Sequence, residues 1–308
     1  MNVKHGFVRA FGLAGKVVIL DEVHTYDAYT NVILEALIQL LRELDCTVII
    51  LSATLSKKRR QALIHSEASS SDYPLITALP KTICTPVELP VAVNQPKKIS
   101  IVLQQNDDIA IEQALYRAEQ GQQVLWIENT VKEAQQQYLL LAARAQAIGV
   151  DCGLLHSRYS VTDRQAIEKK WVNIFGKLGV ENGLRTQQGR ILIGTQVLEQ
   201  SLDIDADFLV TRFAPTDMLL QRFGRLWRHA NTPRPPLTTC EAWLLAPSLK
   251  QSLDQPKSEF GASAYVYAPY VLCRSLETWQ QVEQVTLPDD IRPLIEATYH
   301  DRSETEAM

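Results

Sequence analysis

Short apolar runs alternate with segments of helical periodicity along most of this chain. The run Val17–Leu20 is continuously apolar, which is typical of a strand covered on both faces. After it, apolar residues recur at three- and four-residue spacing over 32–44, which predicts an amphipathic helix with Asp27 as its N-cap. A second strand is predicted over 47–51, and a short helix is predicted from Ser56.

The segment 74–96 contains five prolines and little periodicity, so we interpret it as the end of one domain and the link to the next. A second alternating series follows. It predicts strands over 99–103, 124–127, 191–193 and 208–211, a short strand ending at Leu155, and helices over about 107–121, 130–149 and 162–176. Strands that alternate with helices indicate parallel sheets, so the chain is predicted to be an α/β protein with two tandem domains.

Length and composition favour a soluble cytoplasmic protein. The 308 residues leave room for two domains, and 46% of them are hydrophobic. No apolar run approaches the roughly 18 residues of a membrane helix, and no signal-peptide pattern is present, so no membrane partner is expected. The net charge of -4 gives no global signal for nucleic acid, so any such binding depends on local groups. Five scattered cysteines without a CxxC pair predict reduced thiols rather than zinc ligands or disulfides.

Two adjacent carboxylates follow the first predicted strand. Asp21 could hold Mg²⁺ through its water shell, and Glu22 could orient and deprotonate an attacking water in nucleotide hydrolysis. A solvated acidic turn is the alternative. Ser52 and Thr54 follow the next strand, where they could hydrogen-bond to His24 and couple a phosphate site to a strand-binding face. A simple strand-end turn is the alternative for this pair.

Gln221, Arg225 and Arg228 stand at i, i+4 and i+7, a spacing that would project them from one face of a helix. Two guanidiniums presented together suit a triphosphate, because the planar fork pairs bidentately with phosphate oxygens. A basic surface helix is the alternative. Asp203 is placed to take a ribose hydroxyl or one of the two arginines.

Further polar residues follow strands of the second series. Thr195 is placed to contact a nucleic-acid phosphate, and Asn129, Thr130 and His156 could bind backbone phosphates in the same way. Ordinary helix caps are the alternative. The basic run at 57–60 is predicted to be a solvated helix face.

Four stretches resemble one family when they are taken together. GLAGKVVILDEVHTYD at 12–27, TQVLEQSLDID at 195–205, APTDMLLQRFGRLWRH at 214–229 and LPDDIRPLIEATY at 287–299 resemble the CRISPR-associated type I helicase-nuclease family of superfamily 2 DExH helicases. Ser201 stands where general superfamily 2 members usually carry glycine.

The resemblance implies tandem RecA-like parallel-sheet domains that use ATP and Mg²⁺ to move single-stranded DNA. It also implies that target DNA is unwound for degradation in antiviral defence, after recruitment by the CRISPR RNA-guided surveillance complex. The alternatives are another superfamily 2 helicase acting on DNA or RNA, and a non-catalytic fragment that binds DNA or the surveillance complex.

Two motifs of that family are missing from the printed sequence. A phosphate loop needs G-x-x-x-x-G-K-[ST], but the Gly15-Lys16 pair has the wrong spacing and is followed by Val17. His300-Asp301 is a lone dipeptide without the partner histidines of a nuclease. The chain is therefore expected to contain a truncated first RecA-like domain at 1–96, a second at 97–235 and a partial C-terminal extension at 236–308. We expect it to lack ATPase activity without an N-terminal helicase-nuclease half.

Overall fold

A computed structural model describes residues 6–23, 28–81, 85–92, 95–199 and 202–301. The chain divides into two compact units, which are described separately. Unit 1 comprises residues 1–94 and 291–300, and unit 2 comprises residues 95–290 and 301–308. Within the described ranges, no helix has the length and apolar character needed to cross a membrane.

Unit 1 is built on two short parallel strands. Its elements in chain order are α1 (Gly6–Leu13), β1 (Val17–Leu20), α2 (Ala28–Glu43), β2 (Thr47–Ile50), α3 (Lys57–Ile64), β3 (Leu75–Ala78) and β4 (Val87–Pro90). Strands β1 and β2 pair in parallel with Val17 opposite Thr47. The predicted strands and helices of this region are confirmed. Asp27, the predicted cap of α2, lies outside the described residues.

The proline-rich segment contains regular structure that its composition did not indicate. Strands β3 and β4 form an antiparallel pair in which Leu75 lies opposite Pro90. The Glu88 carboxylate of β4 accepts hydrogen bonds from the backbone N–H groups of Ser69 and Ser70. These local contacts make the segment part of unit 1 rather than a plain link.

The basic run at 57–60 was also wrongly predicted as a solvated helix face. In α3, the side chains of Arg59 and Arg60 are buried. Arg59 forms an ion pair with Glu35 of α2, and Arg60 forms one with Glu88 at 3.3 Å. Acidic partners on neighbouring elements therefore turn half of the basic run into an internal support of the unit.

Unit 2 contains a seven-stranded sheet with helices between its strands. Its elements are β5 (Lys97–Gln104), α4 (Asp107–Glu119), β6 (Gln123–Ile127), α5 (Val131–Ala147), β7 (Asp151–Leu155), α6 (Val161–Phe175), α7 (Lys177–Glu181), β8 (Arg190–Gly194), β9 (Phe208–Arg212), α8 (Thr216–Phe223), β10 (Glu241–Leu245), α9 (Leu249–Asp254), α10 (Pro256–Glu259), α11 (Pro269–Trp279) and β11 (Gln284–Leu287). Short 3-10 segments cover Gln196–Leu198 and Gly261–Tyr265.

The strand order is β11-β5-β10-β9-β6-β8-β7, and all neighbours are parallel except β11, which runs antiparallel to β5. All residues of β6 and β8 are buried, as expected for strands covered on both faces. The helix starts follow from local capping, since the side chains of Asn106, Thr130 and Ser160 accept backbone N–H bonds in the first turns of α4, α5 and α6.

The boundary predicted after residue 235 does not coincide with the structural units. Strand β10 lies between β5 and β9 and pairs with both, so it belongs to the interior of the sheet. The sequence interpretation placed this strand in a separate C-terminal extension. The structure corrects that placement, because β5 can join the rest of the sheet only through β10.

The end of the described chain returns to unit 1 as α12 (Ile291–Tyr299). Arg292 of this helix donates a hydrogen bond to the Leu55 carbonyl, and the Lys57 N–H donates to Glu296 Oε1 at 2.5 Å. Helix α12 therefore holds the loop between β2 and α3 and is not part of an appended extension.

Candidate functional site

The predicted carboxylates lie at the carboxyl end of β1. Because β1 and β2 are parallel and in register, the loops that carry Asp21 and Ser52 leave the sheet at the same edge. Asp21 and Glu22 are both exposed, and the Glu22 N–H donates to Asp21 Oδ1 at 2.9 Å. Glu22 has a φ of 58°, a left-handed conformation that is uncommon for residues with a Cβ.

The loop after β2 is partly buried. The Thr54 N–H lies 3.4 Å from Ser52 Oγ, and Thr54 is buried. The Leu55 carbonyl accepts the bond from Arg292 described above. His24, the predicted partner of Ser52 and Thr54, lies outside the described residues.

The helical arrangement predicted for Gln221, Arg225 and Arg228 is wrong. Helix α8 ends at Phe223, so only Gln221 of the three is helical. The chain then pairs with the segment before β9: the Ala206 N–H donates to the Arg225 carbonyl at 2.8 Å, and the Trp227 N–H donates to the Ala206 carbonyl at 2.9 Å. This tertiary bridge replaces the continuation of the helix to Arg228 that the sequence spacing predicted.

The two arginines are nevertheless brought together in the loop that follows α8, which we name the arginine loop (residues 224–234). Arg225 donates to the Leu202 carbonyl at 2.8 Å and to the Glu199 carbonyl at 2.6 Å. The exposed Arg228 also reaches the Leu202 carbonyl, at 3.3 Å. The guanidiniums therefore converge on one backbone oxygen, with Arg225 half-buried and Arg228 facing solvent.

Asp203 lies beside the same loop. Its Oδ1 atom is 2.7 Å from His229 Nε2 and 3.8 Å from Arg228 Nε. Its Oδ2 atom accepts the Lys177 N–H at 3.1 Å. Burial opposes ionisation of this carboxyl, but the Lys177 N–H, His229 and Arg228 together hold the pKa of Asp203 below its usual value.

An open pocket of about 390 Å³ adjoins this part of the arginine loop. Positively charged and polar groups line it, namely Lys177, Arg228, His229, Asn231 and Thr232, together with Glu181 and two small apolar residues. Such a lining suits an anionic group more than an apolar one. No cluster of three or more potential metal ligands is found among the described residues.

Sequence reasoning missed the buried ion pair that supports the arginine loop. Arg222, at 0% exposure, donates from Nε to Glu199 Oε1 at 2.7 Å, and it also bonds Thr211 and Asn129. Although burial opposes its charge, Glu199 raises the pKa of Arg222 above the ordinary value. The available signal was a charged residue within the apolar run LLQRF, where a solvated position is not expected.

A second cluster, of buried acidic residues and arginines, holds the backbone of the arginine loop at Arg228 and the side chain of Arg234. Asp205 accepts the Arg228 N–H at 2.8 Å and pairs with Arg234 at 2.9 Å. Arg185 pairs with the neighbouring Asp207 at 2.6 Å. These acidic residues follow Asp203 at alternate positions, a spacing that sequence reasoning did not interpret. Arg228 thus has a fixed backbone and a solvent-facing side chain.

The residues predicted to bind nucleic acid meet at the carboxyl edge of the large sheet, after β6, β7 and β8. Asn129 is buried and its amide is fully engaged, donating to the Phe213 carbonyl and Ser263 Oγ and accepting from Arg222. A direct phosphate contact through this amide is therefore contradicted. Thr130 caps α5, its hydroxyl accepting the Glu133 N–H at 3.2 Å, in line with the alternative interpretation.

His156 and Thr195 lie at the same edge and are also buried. The His156 ring stacks on Tyr159 with 4.2 Å between centroids, and burial lowers the pKa of His156. The Thr195 N–H donates to the Leu155 carbonyl at 3.3 Å, which ties the loop after β8 to the end of β7. These side chains shape the edge more than they project from it.

Comparisons with known proteins bear on the family and the fold of this chain. The family model for the C-terminal part of the CRISPR-associated nuclease/helicase Cas3 matches residues 120–231. The Cas3 endonuclease/helicase of Escherichia coli strain K12 is 38% identical over 250 residues, covering 76% of this chain and 28% of the relative. The crystal structure of T. fusca Cas3-AMPPNP superposes with a TM-score of 0.88 at 32% identity, covering 98% of this chain and 37% of that one.

A chain from a structure of a CRISPR RNA-guided surveillance complex in a pre-nicking state has a TM-score of 0.83 at 30% identity, covering 98% of this chain and 39% of that chain. This chain thus spans 28–39% of the length of these relatives. The expected mixed α/β fold with parallel strands is confirmed. By sequence and by structure, this chain belongs to the Cas3 helicase-nuclease family and corresponds to the C-terminal part of its superfamily 2 helicase.

Proposed function

We propose that this chain supplies part of an ATP-dependent motor that unwinds target DNA for degradation in CRISPR type I antiviral defence. The observation that carries the proposal is the convergence of Arg225 and Arg228 on the Leu202 carbonyl, beside Asp203. Two guanidiniums held together can pair with several oxygens of one triphosphate. The paired carboxylates of unit 1 support the same reaction.

For ATP and Mg²⁺, each unit supplies a donor set that suits its share of the chemistry. Asp21, exposed at a strand end, would hold Mg²⁺ through water, a mode that Mg²⁺ favours because it keeps much of its hydration shell. Bound Mg²⁺ supplies charge neutralisation at the phosphates. Glu22 would orient the attacking water and take its proton, while Arg225, Arg228 and Gln221 would bind the phosphates. Asp203 holds Arg228 in place.

For single-stranded DNA, we place the strand along the carboxyl edge of the large sheet. Thr195 would contact a backbone phosphate from the buried base of this edge, with Thr130 and the buried His156 beside it. Asn129 would support this edge from the protein interior without touching the strand, since its amide ties the end of β6 to Arg222 and Ser263. In unit 1, Ser52, Thr54 and His24 would couple the nucleotide site to the strand.

We propose two protein partners. The surveillance complex follows from the relative found in such an assembly. The second partner is the N-terminal helicase-nuclease half. It is supported by the apolar face of unit 1, where Val17, Ile19 and Ile49 are 62%, 59% and 40% exposed. A parallel sheet is normally covered on both faces, so this face requires further elements.

We expect the purified 308-residue chain to lack ATPase activity with or without single-stranded DNA. Gly15-Lys16 lies directly before β1, at the opposite end of that strand from Asp21, so it cannot cradle phosphates beside the carboxylates. The test is phosphate release with and without an oligonucleotide. DNA-stimulated release that disappears in Glu22→Gln would overturn this expectation.

The assignment of the arginines is tested in a motor completed with the helicase half, in trans or by fusion. Ala or Lys at Arg225 or Arg228 should lower ATP turnover by roughly 10³- to 10⁵-fold, as loss of an arginine finger does, while single-stranded DNA binding persists. Lys should fail because a point charge cannot reproduce the bidentate fork. Thr195→Ala should instead weaken DNA stimulation more than nucleotide binding.

The matched control is Arg144→Ala, which removes an exposed arginine of α5 that pairs with Glu112. It should change neither turnover nor DNA binding. Equal, salt-sensitive losses of DNA binding in both arginine variants, with turnover per bound complex unchanged, would show a basic patch instead of a catalytic pair.

A further inference from the structure

Tyr265 is 87% exposed, although the residues two positions before and two positions after it are buried and half-buried. It ends the 3-10 segment Gly261–Tyr265, between α10 and α11. Ser263, two residues before it, is buried at 1% exposure. The phenol of Tyr267, two residues after it, is also withdrawn from solvent, and burial raises the pKa of that phenol. Of these three residues, only Tyr265 is exposed.

Ser263 and Tyr267, the two anchors of this segment, join it to the carboxyl edge of the sheet. Ser263 Oγ accepts from Asn129 Nδ2 at 2.8 Å, at the end of β6. The Tyr267 hydroxyl lies 3.3 Å from Gln196 Nε2, directly after Thr195 at the end of β8. With 3.8 Å between consecutive Cα atoms, Tyr265 lies within about 8 Å of each anchor. The backbone of Tyr265 is therefore tied to the edge at which Thr195 lies, and its ring is exposed to solvent.

We propose that Tyr265 is a stacking platform for a base of single-stranded nucleic acid. The inference rests on the proposed function, which places the strand along this edge, and adds a base contact to its phosphate contacts. Every base has a π-face, so an aromatic platform holds a moving strand without selecting its sequence. The side-chain contacts of Ser263 and Tyr267 restrain the backbone of the platform, which lowers the entropy lost on binding.

The experiment measures binding of the purified 308-residue chain to a fluorescein-labelled oligo(dT) by anisotropy. Tyr265→Ala should weaken binding by roughly 5- to 100-fold, the range for loss of one base-stacking aromatic. Tyr265→Phe keeps the ring and should retain wild-type affinity. The control is Tyr116→Ala, which removes a tyrosine of α4 that is 59% exposed near the opposite, amino end of β6. It should have no effect.

A strand with abasic sugars in place of thymidines separates stacking from other contacts. The wild type should bind this strand more weakly than oligo(dT), and Tyr265→Ala should bind it as the wild type does, because no base remains to stack. An equal loss on both strands would overturn the proposal. So would wild-type affinity of Tyr265→Ala for oligo(dT), which leaves the proposed function intact. If the wild type binds neither strand, the proposed function and this inference both fail.

Discussion

The two units use the same kind of strand in opposite environments. In unit 1, β1 and β2 form a two-stranded sheet with alternate residues exposed, including Val17 and Ile19. In unit 2, β6 and β8 lie inside a seven-stranded sheet and are buried along their whole length. The apolar run VVIL of β1 and the central ILI of β8 are similar in apolar character. Strand sequence thus specifies a buried environment, but the neighbouring strands must be present to provide it.

Truncation of unit 2 after Pro235 should have the largest effect, because it would remove the strands that give this unit its buried sheet. A fragment of residues 95–235 lacks both β10 and β11, so β5 loses its partners on both sides, and we expect no cooperative unfolding transition. The matched fragment 95–290 should unfold cooperatively in urea, followed by circular dichroism. Limited proteolysis of the whole chain should leave a core that begins near residue 95. A cooperative 95–235 fragment would contradict the role given to β10.

Loss of the buried ion pair between Arg222 and Glu199 should have the next largest effect on the free energy of unfolding. Arg222→Met leaves the Glu199 carboxylate buried without its cation, and such a loss costs about 3 to 5 kcal/mol of unfolding free energy. Arg144→Ala, at the exposed pair with Glu112, should cost about 0 to 1 kcal/mol. Chemical denaturation of both variants measures the difference. Similar costs at the two sites would show that Arg222 is not a support of the arginine loop.

The same substitution in the two sheets sharpens the comparison further. Ile191→Ala in the fully buried β8 should cost about 2 to 5 kcal/mol, because it leaves a cavity. Ile19→Ala in β1, where the side chain is 59% exposed, should stay within about 0.5 kcal/mol. Ile19→Ala should also reduce binding of a hydrophobic dye by the native chain. Equal costs would indicate that Ile19 is covered in solution.

The smallest effect is a pH dependence confined to unit 2. Burial lowers the pKa of Lys97 to about 8, and its ammonium donates to the Phe223 and Leu226 carbonyls beside the arginine loop. The unfolded value is about 10.4, so between these two pH values the unfolded chain binds more protons and stability rises with pH. The difference in unfolding midpoint between wild type and Lys97→Met should change across this window. An unchanged difference would contradict the lowered pKa.

Sequence reasoning succeeded where local chemistry determines the structure. The helices predicted to begin near residues 107, 130 and 162 start within about one residue of those positions, where the side chains of Asn106, Thr130 and Ser160 cap them. The strands around 124–127 and 191–193 are marked by their apolar runs. Sequence reasoning failed where contacts with residues far away in the sequence determine the local structure. The Ala206 bridge ends the helix before Arg225, Glu88 draws Arg60 inside, and the membership of β10 in the sheet depends on pairing with β5 and β9.

The candidate site shows the same division. The motifs indicated Asp21, Glu22, Arg225 and Arg228, because their residue types and order carry the chemistry. They did not indicate which side chains face solvent. Asn129 was expected to reach a phosphate and is instead consumed by internal hydrogen bonds. Local spacing cannot reveal this, since its partners Phe213, Arg222 and Ser263 are more than eighty residues away along the chain.

The return of the chain to unit 1 through α12 has a consequence at the ribosome. All of residues 95–290 must be translated before Arg292 emerges to hold the Leu55 carbonyl. At 5–20 residues per second, that interval is roughly 10 to 40 s. The nascent unit 1 spends this time without its final helix and with an apolar sheet face exposed. A chaperone that binds such faces would find its substrate in unit 1 while residues 95–290 are still being made.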